Sequence, residues 1–132
     1  MRMYELFYNQ VTEVLQTSEE VLLRINEIQN KETEAKLVAI STEANGSMEI
    51  AVGMGDKSIV FYTPEAEDEN ACISCNEFVD RAKIEDFQIL DANNEKCDFS
   101  VANFVNFANA LLVMKAFLNK EEFWDFVDWY EY

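Results

Sequence analysis

The sequence predicts a single α+β domain over residues 1–132, in which an antiparallel β-sheet of about five to seven strands carries two packed helices. Segments that alternate apolar and polar residues, separated by turn signals, occupy much of the chain before residue 91. Two other segments repeat apolar residues at steps of three and four, which is the period of a helix. With 49% hydrophobic residues among 132, the chain can bury one core.

The first predicted elements are a strand and a short amphipathic helix. Apolar and polar side chains alternate over residues 4–8, as in a half-buried strand. Thr17 or Ser18 can then cap a helix, because each hydroxyl can accept a hydrogen bond from a free backbone N–H group. Glu19 and Glu20 follow in the first turn, where the helix dipole favours acids. The apolar stripe of this helix, which ends near residue 30, consists of Val21, Leu22, Ile25 and Ile28.

An antiparallel meander is predicted next. Its three strands cover residues 36–42, 47–52 and 58–63. The sequences Ala-Asn-Gly and Gly-Met-Gly between them are turn signals, and Pro64 ends the third strand because it has no N–H group to donate. Two further strands are predicted over residues 72–78 and 84–90, followed by a turn at residues 91–96.

The last third of the chain predicts a core helix and a terminal strand. Residues 101–118, with Ser100 as the N-cap, are apolar nearly all round, so the rest of the domain is expected to cover this helix. Its internal Asn and Lys residues make a transmembrane span the weaker interpretation. Residues 124–131 are rich in β-favouring aromatic side chains, and a helix that begins at Lys120 is the alternative. A strand here would have Val127, Trp129 and Glu131 on one face and Phe126, Asp128 and Tyr130 on the other.

The charge balance limits the classes of partner. The chain has 10 Lys and Arg residues against 26 Asp and Glu residues, which gives a net charge of −16 at pH 7. Nucleic-acid phosphates and anionic membrane surfaces repel such a chain, so neither is expected to bind it directly. A basic protein is favoured instead, because complementary charge speeds encounter and selects the partner.

The sequence does not predict catalytic or metal-binding chemistry. It has no histidine and only three glycines, which leaves no histidine-dependent nucleophile and no glycine-rich phosphate loop. Cys72 and Cys75 have the spacing of metal ligands, but with Cys97 as the only other thiol a zinc site would need a carboxylate as its fourth ligand. Buried, reduced thiols are favoured over zinc or redox chemistry. We therefore expect a non-enzymatic, cytoplasmic protein without a cofactor, and the N-terminal residues lack the apolar run of a signal peptide.

Two acidic patches and a set of aromatic residues are the candidate binding residues. The first patch, in a loop, consists of Glu65, Glu67, Asp68 and Glu69, and the second, near the C-terminus, of Asp125, Asp128 and Glu131. The candidate aromatic anchors are Trp124, Trp129 and Tyr130. Each patch has a simpler interpretation, in which the acids are only solvated and the rings only complete the core.

A family resemblance rests on short motifs in several parts of the chain. Those in the C-terminal third are Asp98-Phe-Ser100-Val-Ala102, Ala108-Asn-Ala110, Phe117-Leu118 and Val127-Asp128-Trp129. Upstream motifs are Thr17-Ser18-Glu19-Glu20, Gly46-Ser-Met-Glu-Ile50 and Ile59-Val-Phe-Tyr62. Over about residues 12–132 the chain resembles the bacterial polymorphic-toxin immunity proteins, in particular the family called immunity protein one. The family pattern has Gly and Pro between its final helix and a short strand that bears a Trp, and this chain has Asn119-Lys-Glu-Glu there instead. Trp129 is the one residue that the resemblance assigns to a family position.

The resemblance implies a cytosolic inhibitor from a toxin system such as contact-dependent inhibition. It would bind the C-terminal catalytic domain of a cognate toxin, a basic protein that acts on nucleic acid, and it would be a monomer or weak dimer when free. Two rival interpretations remain open. One is an acidic adaptor or a homodimer that pairs through the edge of the terminal strand. The other is a small acidic enzyme or metal-binding domain.

Overall fold

The structure, a computed structural model, describes residues 3–42, 46–66, 69–76 and 86–131. In chain order the first half contains β1 (Tyr4–Tyr8), β2 (Val11–Leu15), α1 (Ser18–Lys31), β3 (Lys36–Thr42), β4 (Gly46–Val52), β5 (Lys57–Ser58) and β6 (Val60–Thr63). The second half contains β7 (Cys72–Cys75), β8 (Asp86–Leu90), β9 (Lys96–Ser100), a 3-10 helix (Val101–Asn103), β10 (Val105–Asn106), α2 (Phe107–Leu118) and β11 (Asp128–Glu131). The predicted α+β class, with two helices on a mostly antiparallel sheet, is confirmed.

The main sheet is built around the predicted meander. Its strand order is β11-β7-β6-β4-β3-β1-β2, and β3, β4 and β6 are antiparallel neighbours as predicted. The β8–β9 hairpin joins this sheet through one parallel bridge between Lys36 and Leu90, which gives the sheet nine strands within the described residues. The third predicted strand is wrong in part. It divides into β5, which pairs with β10 in a separate small sheet, and β6, which stays in the main sheet.

One face of the sheet packs against both helices. Thr17 caps α1 as predicted, since its Oγ1 accepts from the Glu20 N–H at 3.1 Å, and Val21, Ile25 and Ile28 are buried. A row of directly opposed residues crosses six strands on this face: Leu6, Ile40, Met48, Tyr62, Cys72 and Glu131. The row begins in the core and ends at the exposed carboxylate of Glu131 on β11.

The opposite face has a smaller core of its own. Its buried residues are Leu37, Ala51, Ile59, Ile73 and Ile89, the last of them on the β8–β9 hairpin. The neighbouring row of opposed residues lies on this face and consists of Phe7, Ala39, Glu49, Phe61, Ile73 and Tyr130. Strands β3 and β4 are therefore buried on both faces, which explains why Leu37 and Val38 are adjacent and both inaccessible.

The β1–β2 and β8–β9 hairpins, neither of which was predicted from the sequence, contact each other at their turns. In the β1–β2 turn, Asn9 and Gln10 both have positive φ, 54° and 66°, as in the two-residue turns that favour hairpins. The Gln10 N–H donates to the carbonyl of Ala92 at 2.7 Å, and its Nε2 donates to the carbonyl of Asn93 at 3.2 Å. Asn94 Nδ2 donates to Asn9 Oδ1 at 2.8 Å. The N-terminal hairpin is thus fastened to the β8–β9 turn.

The predicted start of the second helix is wrong. Ser100 caps only the 3-10 helix, and residues 101–106 are not α-helical. The chain instead extends at β10 to pair with β5, and α2 begins at Phe107 with Asn106 as its cap, whose side chain accepts from the Ala108 N–H at 2.7 Å. From that point the prediction of a core helix is correct for one side only, because six of its twelve residues are buried while Leu112 is 44% exposed, so the domain does not cover the helix all round.

The terminal strand is shorter than predicted. Residues 124–127 form a turn rather than a strand, and no helix begins at Lys120. Phe123 is buried beside Phe117 of α2, and the Trp129 indole N–H donates to the Trp124 carbonyl at 3.2 Å, which closes residues 124–127 into the turn. Only Asp128–Glu131 can then extend along β7, in antiparallel register with Trp129 opposite Ser74. The predicted strand over residues 72–78 is β7, which ends at Cys75, and residues 77–78 lie outside the described residues. The first two residues of the strand predicted over 84–90 also lie outside them.

Candidate protein-interaction surface

A cluster of rings links the core to the surface beside β11. Phe123 is 7% exposed and lies 5.1 Å, centroid to centroid, from Tyr62 and 6.3 Å from Phe117. Trp124 lies on this buried base, 4.5 Å from Phe123 and 5.9 Å from Tyr62, and is 45% exposed. Most of these pairs meet edge to face, an arrangement that favours a fixed geometry. Trp124 is therefore an exposed ring held by a rigid support.

The two other predicted anchors lie on opposite faces of β11. Trp129 is half-buried on the helix face, 5.3 Å from Trp124, and its indole N–H donates to the Trp124 carbonyl at 3.2 Å. That hydrogen bond closes the turn before β11, so Trp129 positions Trp124 as well as packing against the core. Tyr130 points to the other face and is 54% exposed.

The structure brings the acidic loop and the terminal strand together. Asn70 Nδ2 donates to Glu131 Oε1 at 2.8 Å, and Glu131 lies opposite Cys72 in the β7–β11 pairing. Burial, followed by the carboxylate of Glu69, raises the pKa of the Tyr62 hydroxyl. Glu69 therefore lies near the same aromatic cluster that supports Trp124. The structure thus brings Glu69 of the first acidic patch close to the sheet edge that carries Glu131 of the second.

The described members of both patches are available for contact. Glu65, Glu69, Asp125, Asp128 and Glu131 are all exposed, while Glu67 and Asp68 lie outside the described residues. The ion pairs recorded in the described part of the chain join Arg24 to Glu13 and Glu27, and Lys36 to Glu32; all of them lie around α1. None of them neutralises a carboxylate of the surface beside β11.

A shallow pocket adjoins this surface where β11 begins. Its volume is about 230 Å³, and its wall includes Asn106 and Asn109 from the start of α2 and Phe126 and Asp128 from the turn and strand. Amide, aromatic and carboxylate groups together suit a polar side chain with an apolar stem. The pocket extends the candidate surface past the N-terminal end of β11.

The cysteines do not form a metal centre in the described residues. Cys72 and Cys75 lie opposite Glu131 and Asp128 on β11, and three residues of spacing in a strand directs them to opposite faces. Burial and the Glu131 carboxylate raise the pKa of the Cys72 thiol, which disfavours the thiolate needed for nucleophilic attack or metal binding. No group of three or more Cys, Asp or Glu side chains in the described ranges could hold a metal ion.

A second group of titratable residues lies on the opposite face and has a structural role. Burial and Asp91 raise the pKa of Cys97, whose Sγ is 3.8 Å from Asp91 Oδ2. Burial, with a smaller contribution from Asp91, also raises the pKa of Glu49. Asp91 Oδ1 accepts from the Asn93 and Glu95 N–H groups at 2.9 Å, so this carboxylate shapes the β8–β9 turn.

Three residues that support the surface were missed by the sequence analysis. Tyr62 and Phe123 form its aromatic base, and Asn70 joins the loop to β11. A signal was present for Phe123 alone, since it follows the helix in an otherwise acidic segment. Tyr62 and Asn70 reach the surface only through the pairing of β6, β7 and β11, which no local pattern specifies.

None of the helices in the described residues is both long and apolar enough to cross a membrane.

Comparison with known proteins does not place the chain in a family. No protein-family model matches the chain, and no curated protein matches its sequence.

Proposed function

We propose that this chain is a non-catalytic immunity protein that binds and neutralises a basic bacterial toxin domain through the surface beside β11. The observation that carries the proposal is that Glu69 and Asn70 of the acidic loop meet Glu131 of β11 next to the aromatic cluster of Trp124, a half-exposed ring on a buried aromatic base. Trp and Tyr side chains in well-packed sites are enriched among interface hot spots. The toxin as partner class comes from the resemblance noted above, and a cytoplasmic location is part of the proposal.

The charge of the molecule supports a basic partner. A net charge of −16 attracts a cationic protein over distances beyond contact, and the exposed carboxylates beside β11, which form no ion pair within the described residues, direct it to that edge. An enzyme that binds nucleic acid presents a basic cleft, which an acidic surface complements. Such an inhibitor needs no catalytic group and no cofactor of its own, because occupying the cleft is sufficient.

The test is co-purification with a tagged toxin domain, taken from the gene that precedes this one, and measurement of growth in cells that express both. We expect a stoichiometric complex that weakens as salt rises and that relieves toxin-dependent growth arrest. The double variant Asp125→Lys/Asp128→Lys should weaken the complex strongly. Glu5→Lys/Glu34→Lys is the matched control, because it changes the charge equally at exposed positions on β1 and before β3. Equal affinities for the two double variants would contradict the proposed surface.

A homodimerising adaptor is the second candidate, since β11 is the outermost strand of the main sheet in the described residues. Edge strands pair readily with a second copy. Two acidic edges repel each other, which argues for a different, basic partner. Sedimentation of the free protein distinguishes the candidates: a stable dimer that buries β11 favours the adaptor, and a monomer favours the inhibitor.

A further inference from the structure

The outer edge of β11 carries a pattern of side chains that specifies a binding mode. The strand has four residues, Asp128–Glu131, and in the described part of the sheet it pairs with β7 alone. Side chains alternate along a strand, so one face carries Trp129 and Glu131 and the other carries Asp128 and Tyr130. Each face of this edge therefore presents one carboxylate and one ring.

We propose that β11 accepts an extended segment of the partner as an additional strand, and that this segment reads basic–apolar–apolar–basic. The inference rests on the proposed function, of which it specifies the binding mode. In an added strand, directly opposed side chains have Cβ atoms about 4.5–5.5 Å apart. Basic residues at the first and fourth positions then face Asp128 and Glu131, and apolar residues face the two rings.

The order acid–aromatic–aromatic–acid is the same in both chain directions. A complementary segment can therefore align parallel or antiparallel to β11 and still oppose each carboxylate with a cation. The basic residues fall on opposite faces of the added strand, because they are three positions apart. A spacing of three residues between cations, rather than cationic charge alone, is the feature that this edge selects.

The neighbouring side chains favour the same occupant. Glu131 accepts a hydrogen bond from Asn70 at one carboxylate oxygen, at 2.8 Å, which favours one orientation of this exposed side chain, and its other oxygen retains acceptor capacity. Trp124, 45% exposed and 5.3 Å from Trp129, widens the apolar contact on the helix face. A second copy of this chain would oppose acids with acids, which is destabilising for directly paired strand residues.

The experiment uses the full chain and two blocked hexapeptides of equal composition. The first, Thr-Lys-Val-Ile-Lys-Thr, has lysines three positions apart, and the second, Lys-Thr-Val-Ile-Thr-Lys, has them five apart. Titration followed by NMR should show that the first peptide binds about fivefold more tightly, because the second can place at most one lysine opposite a carboxylate, and only by moving its apolar residues off the rings. Hydrogen exchange of backbone amides within residues 128–131 should slow when the first peptide is bound.

Protein variants provide the matched control. Asp128→Lys/Glu131→Lys should weaken binding of the first peptide by about tenfold or more, since two attractions become repulsions. Glu5→Lys/Glu34→Lys, with the same charge change at exposed positions on β1 and before β3, should bind it nearly as well as the unaltered chain. Equal binding of the two peptides, or equal loss in the two double variants, overturns strand addition.

A parallel measurement on the toxin complex separates this inference from the proposed function. If the complex forms and is sensitive to Asp128→Lys/Glu131→Lys, but amide exchange within residues 128–131 is unchanged by complex formation, strand addition is overturned and the proposed function stands. If the complex does not form at all, the proposed function fails, and with it the inference. A free dimer that protects the same amides overturns the inference in favour of a second copy of this chain.

Discussion

The last turn of α2 depends on a single residue with unusual backbone geometry. Lys120 has φ of 58°, in the left-handed region, and its N–H donates to the carbonyl of Phe117 at 3.2 Å. The Glu121 N–H donates to the carbonyl of Ala116 at 2.8 Å. These two hydrogen bonds are those of a Schellman motif, in which glycine is the preferred residue at the left-handed position. A lysine there is strained by its Cβ.

Lys120→Gly should therefore stabilise the protein by about 0.5–1 kcal/mol, because glycine adopts positive φ without steric cost. Urea unfolding followed by circular dichroism measures the change. Lys120→Ala is the control, since it removes the same charge and keeps the Cβ, and it should give little or no stabilisation. Equal effects of the two substitutions would mean that charge rather than backbone geometry governs this position.

Tyr8 and Glu32 form a hydrogen-bonded pair between β1 and the end of α1. Burial, with the bonded Glu32 carboxylate, raises the pKa of Tyr8 to about 12 from 10.0. Burial alone would raise the pKa of Glu32, but the Tyr8 hydroxyl, two backbone N–H groups and Lys36 together lower it. The pair therefore stabilises the fold at neutral pH, where Tyr8 is protonated and Glu32 is ionised.

The free energy of unfolding should consequently fall as pH rises from 10 towards 12, because the unfolded chain loses the Tyr8 proton first. It should fall at the acid end as pH drops through the lowered pKa of Glu32. Tyr8→Phe should cost about 1–2 kcal/mol at pH 7 and reduce the alkaline loss. Tyr4→Phe, which removes a hydrogen bond to the Leu118 carbonyl, is the control and should leave the alkaline loss in place.

At the scale of elements, the turn before β11 has one buried ring and one exposed ring, and the exposed one belongs to the proposed binding surface. Phe123 is buried and contacts Tyr62 and Phe117, while Trp124 is 45% exposed above it. The turn is closed by the Trp129 indole. Removal of the Phe123 ring should therefore mainly lower stability, whereas removal of the Trp124 ring should mainly lower the proposed binding.

Phe123→Ala should lower the free energy of unfolding by about 3 kcal/mol, as for other large-to-small core substitutions. Trp124→Ala should cost only about 1 kcal/mol of stability but more than about 2 kcal/mol of binding to the toxin domain. Chemical denaturation and calorimetric titration, made on both variants, separate the two effects. A Trp124→Ala variant with unaltered affinity would show that this ring is not an anchor.

The accuracy of the sequence-based prediction also varies by element. Strands β1 and β3 and the capped α1 were predicted closely, because each has a strong local pattern and a clear boundary residue. Strand β2 was missed because its turn, Asn9 and Gln10, contains no glycine although both residues adopt positive φ. The start of α2 was wrong because β10 pairs with β5, a tertiary interaction that overrides helical periodicity.

The candidate surface was predictable in composition and not in arrangement. The acidic loop and the aromatic C-terminal segment are visible in the sequence. Their juxtaposition depends on β11 pairing with β7, whose residues are more than fifty positions away. Strands so far apart in sequence pair according to which strand lies at the edge of the assembled sheet. Local sequence patterns therefore do not predict that β11 pairs with β7.

At the scale of the whole molecule, the net charge of −16 has opposite effects on folding and association. Like charges repel one another in the compact state, and salt screens that repulsion. Attraction to a basic partner is screened by the same ions. The protein should therefore be more stable, and the proposed complex with a toxin domain weaker, as ionic strength rises.

Raising NaCl from low to physiological concentration should shift the urea midpoint of the free chain upward and lower the association rate with the toxin domain by about tenfold or more. Equilibrium unfolding and stopped-flow fluorescence of the tryptophans measure the two responses. The dissociation rate should change little, because it is governed by contacts already formed. An association rate that is independent of salt would contradict electrostatic steering.

The contact between the two hairpin tips has a consequence for the order of folding. Gln10 and Asn93 are 83 residues apart, so their hydrogen bond closes a very long loop, whereas each hairpin forms from neighbouring residues. The contact can form only after both hairpins and the strands between them are in place. Gln10→Ala should therefore leave the refolding rate nearly unchanged and accelerate unfolding, as expected for an interaction absent from the folding transition state. Stopped-flow refolding and unfolding of this variant measure the two rates and so show whether the contact between the hairpin turns forms after the folding transition state.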